Sequence, residues 1–128
     1  MNKAMISEKQ KFAIDYAISL NPTEVVISRV EYVEENGARV RKDSTIPKQT
    51  WLVYPQSPNA NERRAEGGLA DVSDWGALAP RTANVRWGAH VTDSFVMKDV
   101  GTLEVVSGRP IRVGSDVNGY QLDLRLVK

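Results

Sequence analysis

His90 is the only histidine, and there is no cysteine. A zinc centre built on it would rest almost wholly on carboxylates, which is not how zinc is usually held. Glu34-Glu35 sets two carboxylates side by side next to a hairpin turn, where a solvated tip accounts for them better than an acid/base pair. Gly67-Gly68 lacks the flanking strand, helix and lysine of a phosphate loop. Asp71 and Asp74 offer oxygens to a hard cation, but fewer and at other offsets than a calcium loop requires. The sequence therefore gives no catalytic, cofactor-binding or metal-binding residue, and an enzyme is not expected. Arg63 and Arg64, with Arg81, Arg86 and Trp87, have the composition of a nucleic-acid surface on a small barrel. Glu62 and Glu66 flank the arginine pair, however, and leave the run close to neutral, as on a solvated face.

That run lies in a stretch from Gln56 to Asp74 that follows neither a helical nor a strand period and contains Pro58, Asn59, Asn61 and Gly67-Gly68. It reads as a long loop. Structureless connections beyond about 12–15 residues are uncommon in compact domains, and those that occur are lids, binding loops or mobile excursions. A β scaffold must hold it, because strand patterns flank it on both sides.

The chain has 128 residues, enough for one domain that buries roughly two thirds of its unfolded surface without disulfides. Seventeen basic and sixteen acidic residues imply no global attraction to nucleic acid or membrane. Charges scattered through the N-terminus argue against a signal peptide or membrane span, so a protein soluble where it is made is expected. Ser7 and Gln10 have capping-box spacing, predicting a helix over 7–20 that Pro22 ends. Its Phe12, Tyr16 and Leu20 recur at four-residue steps, and the helix packs on its own sheet or on a neighbouring subunit.

From Thr23 the residues become β-branched and aromatic, and Asn36-Gly37 marks a type I′ hairpin. A strand near Thr50–Tyr54 leads into the loop. Short strand pieces or an irregular corner follow over 75–88, then a hairpin through 93–106. A turn-rich 114–119 precedes a strand in which Leu122, Leu124 and Leu126 share one face. The expectation is a mainly β single domain: a small antiparallel β-barrel or sandwich over 23–128 with an N-terminal helix and the long loop 56–74.

The order of these segments resembles the head-completion proteins of the tailed bacteriophage neck. The resemblance rests on the helix ending in Asn21-Pro22-Thr23-Glu24, the Val26-Ile27-Ser28-Arg29 strand, the glycine hairpin, the strand ending near Tyr54, and Trp75-Gly76-Ala77-Leu78-Ala79-Pro80. The closing Asp93-Ser94-Phe95, Gly101-Thr102-Leu103-Glu104-Val105 and Asn118-Gly119-Tyr120-Gln121-Leu122-Asp123-Leu124 complete it, so that it spans Leu20 to Lys128. The resemblance implies a stopper, or head-tail connector, in the virion neck, synthesised in the host cytoplasm. It would form a homo-oligomeric, dodecameric ring beneath portal and adaptor proteins, retain packaged double-stranded DNA without sequence specificity, and present a surface to a tail-terminator or tail protein. Neither a cofactor nor a membrane is implied.

Channel-loop candidates are then Asn61, Glu62, Arg63, Arg64, Glu66, Gly67 and Gly68. A ring needs two different patches that fit head to tail, and the candidates for these are Arg39, Arg41, Glu31 and Glu34 on the hairpin and Phe12 and Tyr16 on the helix. A tail-terminator or tail-completion protein would use the same ring logic. A small nucleic-acid-binding barrel would instead require exposed aromatics among the arginines.

Because the loop carries little apolar bulk, replacing Asn59–Gly68 with a short glycine linker should barely change the thermal melt, since closure entropy varies slowly with length. Assembled particles should leak DNA. A large fall in melting temperature would mean that the loop is packed structure.

Overall fold

The computed structural model describes residues 2–56 and 75–127. The channel-loop candidates Asn61, Glu62, Arg63, Arg64, Glu66, Gly67 and Gly68 lie outside the described residues.

The first element is α1, Lys3–Leu20. It begins four residues before the expected start, because Asn2 is its N-cap and accepts from the Met5 amide at 2.9 Å. Ser7 is therefore not a cap. It is a buried residue of the second turn, and its hydroxyl faces the Asn118 side chain. The helix stops at Leu20, before Pro22. Ser7, Ile14 and Ile18 recur at seven- and four-residue steps and form the buried face. Phe12, Tyr16 and Leu20 lie on the far side and are 71%, 57% and 68% exposed. Both packing alternatives thus have residues of their own: one stripe meets the home sheet, and the other meets solvent.

Eight strands follow: β1 (Thr23–Val25), β2 (Ser28–Glu35), β3 (Ala38–Thr45), β4 (Gln49–Pro55), β5 (Trp75–Pro80), β6 (Val91–Met97), β7 (Gly101–Val113) and β8 (Asp116–Leu126). They form one antiparallel sheet in the order β1-β4-β5-β8-β7-β6-β2-β3, curled into a half-barrel. The curl has a covalent cause. β1 lies at one end of the sheet and β2 near the other, yet only Val26 and Ile27 separate them. So short a connection brings the two ends together. The Ile27 carbonyl accepts from the Ile46 amide at 2.9 Å, and both side chains enter the core.

Within this curl, alternate side chains point inwards. Val25, Ile27, Trp51, Val53, Ala77, Ala79, Phe95, Leu103, Val105, Leu122 and Leu124 make the core, and the Trp51 and Phe95 rings meet edge to face at 5.5 Å. α1 packs against β4, β5, β7 and β8. Gly119 permits that approach: a Cβ there would lie 2.9 Å from the Ala79 carbonyl oxygen and 3.0 Å from Ile14 Cδ1.

The hairpin of β2 and β3 turns at Asn36 and Gly37, both at positive φ, as the dipeptide predicts. Asn118-Gly119 does not turn. It lies inside β8, and the chain reverses at Gly114-Ser115. Asn118 serves tertiary structure instead, donating to Ser7 Oγ at 3.0 Å and Gln10 Oε1 at 2.8 Å.

A second departure concerns the leucines. Leu122 and Leu124 are fully buried, but Leu126 is 39% exposed. β5 begins at Trp75, opposite Leu124, so Leu126 lies past the end of that pairing. A register shift between Val105 and Ser107 also gives the adjacent stretch of β7 one extra residue. Ser107 is there paired with Asp123, whose buried carboxylate accepts from Ser107 Oγ and Gln56 Nε2. Leu124→Ala should cost about 2–5 kcal/mol in equilibrium denaturation, as expected for a leucine deleted from a packed core. Leu126→Ala should cost distinctly less, and equal losses would contradict the placement of the strand end.

Candidate subunit-interface surface

Arg29 and Asp93 are direct cross-strand partners on β2 and β6, and both side chains turn into the barrel. The guanidinium grips the carboxylate with two bonds, Nε to Oδ1 at 2.8 Å and a terminal nitrogen to Oδ2 at 2.9 Å. Asp93 is fully buried and Arg29 is 8% exposed, so neither charge has water enough to replace the other. The hydrogen bonds that Arg29 donates to Asp93 raise its pKa above the ordinary value, against the lowering effect of burial. The irregular segment 81–90 is latched to this pair. Asn84 accepts from Arg29 at 2.9 Å, the Arg86 amide donates to Asp93 at 2.7 Å, and Gln49 exchanges two bonds with the Asn84 backbone. Ala83, Val85 and Trp87 then pack against the core at two-residue steps, although the segment is not a strand.

The latch fixes what stands outside it. His90 ends the segment and accepts from the Tyr32 amide through its carbonyl at 2.9 Å. Its ring Nδ1 lies 2.9 Å from an Arg39 guanidinium nitrogen, which can only donate. Arg39 also lies over the Tyr32 ring, 5.6 Å from its centroid. Tyr32, Glu34, Arg39 and His90 line an open recess of about 400 Å³.

Among the residues expected at an interface, Arg39 faces Glu34 across the hairpin, and Arg41 donates to Asp43 at 2.8 Å. That contact and the attraction of the carboxylate raise the Arg41 pKa. Glu31 turns the other way and pairs with Arg86 at 2.6 Å, so its charge is answered within the chain. Lys42 is likewise held by Glu35. The hairpin is therefore not a ladder of open opposite charges. Arg39 and Arg41 project from its outer side, Arg41 held by Asp43 and Arg39 against His90. Phe12 and Tyr16 stack on the outer face of α1, with ring centroids 6.2 Å apart and planes 7° from parallel. α1 touches neither β2 nor β3 among the described residues, so the two candidate groups occupy separate parts of the surface.

Sequence reasoning missed the contribution of His90, which meets Arg39 across 51 positions; no local pattern signals such a contact. It also missed Arg29 and Asp93, since an arginine in a half-polar strand reads as outward-facing. Among the described residues, no group of three or more His, Asp or Glu side chains is placed to hold a metal ion, and no helix is long and apolar enough to cross a membrane. Comparison with protein-family models and with curated proteins found no match.

Asp93→Ala leaves a buried guanidinium without its carboxylate and should cost about 3–5 kcal/mol in denaturant unfolding. Replacing both partners by apolar residues of similar size should recover much of that loss. A single mutant as stable as wild type would show that water reaches the pair.

Proposed function

We propose that this chain is a structural virion protein of the phage neck, a head-completion or stopper protein. It forms a ring below the portal and adaptor, retains packaged DNA, and offers the tail its attachment surface. The observation that carries the reading is the outer face of α1. Phe12, Tyr16 and Leu20 are large, apolar and exposed, while Ser7, Ile14 and Ile18 already supply the contact with the home sheet. A second apolar stripe adds nothing to the folded monomer and suits a contact with another subunit.

The curled sheet with one N-terminal helix agrees with the fold that the segment order implies. Arg39 and Arg41 suit the steering of subunits, because rim charges set approach and register more than they supply affinity. The 56–74 sequence sets Arg63 and Arg64 against Glu62, Glu66, Asp71 and Asp74, and a stretch without net positive charge suits a channel. A strongly cationic pore would bind phosphates, release counterions and oppose the exit of DNA. A tail-terminator or tail-completion protein would use the same surfaces with a different neighbour. The nucleic-acid-binding alternative is disfavoured by Trp51, which is fully buried, and by Trp75 and Trp87, which pack against the core.

The subunit must bind weakly by itself and gather on a template that raises its local concentration. Arg39→Glu with Arg41→Glu should leave the chain folded with only a small fall in melting temperature, since both side chains are exposed although each loses its partner. The variant should fail to add to DNA-filled heads that carry portal and adaptor, and those heads should lose DNA on standing. Wild-type addition and retention by the double variant would remove the hairpin from the interface.

A further inference from the structure

The sheet ends at β1 on one side and at β3 on the other. β1 is three residues long, whereas β3 runs for eight. Every residue of β3 is exposed or half-buried, and among the described residues β2 is the only element it packs against. The register shows which of its backbone groups are left over. The Tyr32 amide donates to the His90 carbonyl, so Tyr32 and the alternate residues Ser28, Val30 and Glu34 bond away from β3. Opposite them on β3 stand Thr45, Asp43, Arg41 and Arg39. At such positions of an antiparallel pair both residues turn their N–H and C=O groups outwards. No described residue bonds to the outward groups of β3.

We infer that this edge pairs antiparallel with β3 of a second copy of the chain, about a two-fold axis at Lys42. A row of alternating donors and acceptors is matched by another extended strand, and charge selects which strand and in which register. With the axis at Lys42, Arg41 of each copy stands opposite Asp43 of the other, and Arg39 stands opposite Thr45. All the outward backbone groups then bond. Sliding the second strand by two residues sets Arg41 against Arg41 in one direction and Asp43 against Asp43 in the other. Sliding it by one residue sets outward groups against groups already bonded to β2.

The remaining charges agree with this register. Within one chain Arg41 already reaches Asp43 at 2.8 Å, so both lie on the same face of the edge, and the two copies close them into a ring of alternating charges. Arg39 keeps Glu34 across the hairpin and His90 beside it, and Glu31 keeps Arg86. Lys42 meets Lys42 of the second copy, but each is held by its own Glu35. Edge charges ordinarily keep other strands away; these are self-complementary about Lys42 and admit a copy of their own strand. The contact is isologous and closes at two copies. A single strand pair buries less than the roughly 1,200–2,000 Å² of a stable complex, so the dimer is weak. It goes beyond the proposed function, because it concerns the free chain, whose hairpin stays covered until a stronger partner opens the pair.

Analytical ultracentrifugation at the highest soluble concentration tests the pairing on wild type, Arg41→Asp, Asp43→Arg and an equimolar mixture of the two variants. Wild type should show a reversible monomer–dimer equilibrium. Each variant alone sets like charges opposite one another and should weaken the dimer several-fold, with melts confirming that it is folded. In the mixture every altered residue again faces its opposite charge, and a heterodimer should return; a defect within one chain cannot be repaired by mixing. The absence of native cysteine allows the register to be read separately. The axis sets position 42 against itself as a non-hydrogen-bonded pair, with Cα atoms about 4.5 Å apart, within reach of a disulfide. Lys42→Cys should therefore oxidise to a dimer several-fold faster than Lys98→Cys, which is also exposed. A monomeric wild type, a mixture of folded variants that stays monomeric, or equal oxidation rates would overturn the inference. A dimer formed by a chain that never joins phage heads would keep the inference and remove the neck assignment.

Discussion

A buried arginine-aspartate pair is the constraint on which the rest of this surface depends. Arg29 and Asp93 tie β2 to β6 beside the short link that joins the two ends of the sheet, and through Asn84 and the Arg86 amide they also hold segment 81–90. Two charges inside a barrel are costly unless every hydrogen-bonding position is used. Here the fork is bidentate, the Asn84 side chain accepts from the same guanidinium, and the Arg86 amide donates to the carboxylate. The pair serves placement more than stability: it fixes His90, and His90 fixes Arg39 against Tyr32.

The same economy appears on the other side of the molecule. Gly119 lets α1 lie close enough for Ile14 to reach the sheet, and Asn118 binds Ser7 and Gln10 beside it. These contacts orient the helix. Once it is so oriented, Phe12 and Tyr16 face away from the core whatever their hydrophobicity. Exposure of the stripe thus follows from the rotation of the helix, and rotation is set by polar contacts that no hydrophobic pattern reveals.

Much of the architecture is legible in the sequence because local chemistry decides it. Pro22 ends the helix, Asn36-Gly37 makes the hairpin turn, and the alternation of β4 puts Trp51 and Val53 inside. Long-range contacts explain the failures. Ser7 has capping-box spacing, yet the cap is Asn2 and Ser7 lies buried against Asn118. Asn118-Gly119 has turn chemistry yet lies in a strand, where Asn118 meets α1 and Gly119 clears space for it. Leu126 obeys the strand period but lies past the start of β5. Of the candidate interface, Arg39, Arg41, Phe12 and Tyr16 are outward as expected, whereas Glu31 is committed to Arg86. That pairing joins a strand to an irregular segment, and neither local period encodes it.

A chain whose described residues build their own core, yet which leaves Phe12, Tyr16 and Leu20 exposed on α1, suits a subunit that waits for a template. Sedimentation velocity of the purified wild-type protein, alone and with a portal-adaptor assembly, tests this most directly. A slow monomer or weakly associating species is expected alone, and a complete ring co-sedimenting with the assembly. A stable ring at micromolar concentration without any partner, or no ring on the assembly, would contradict it.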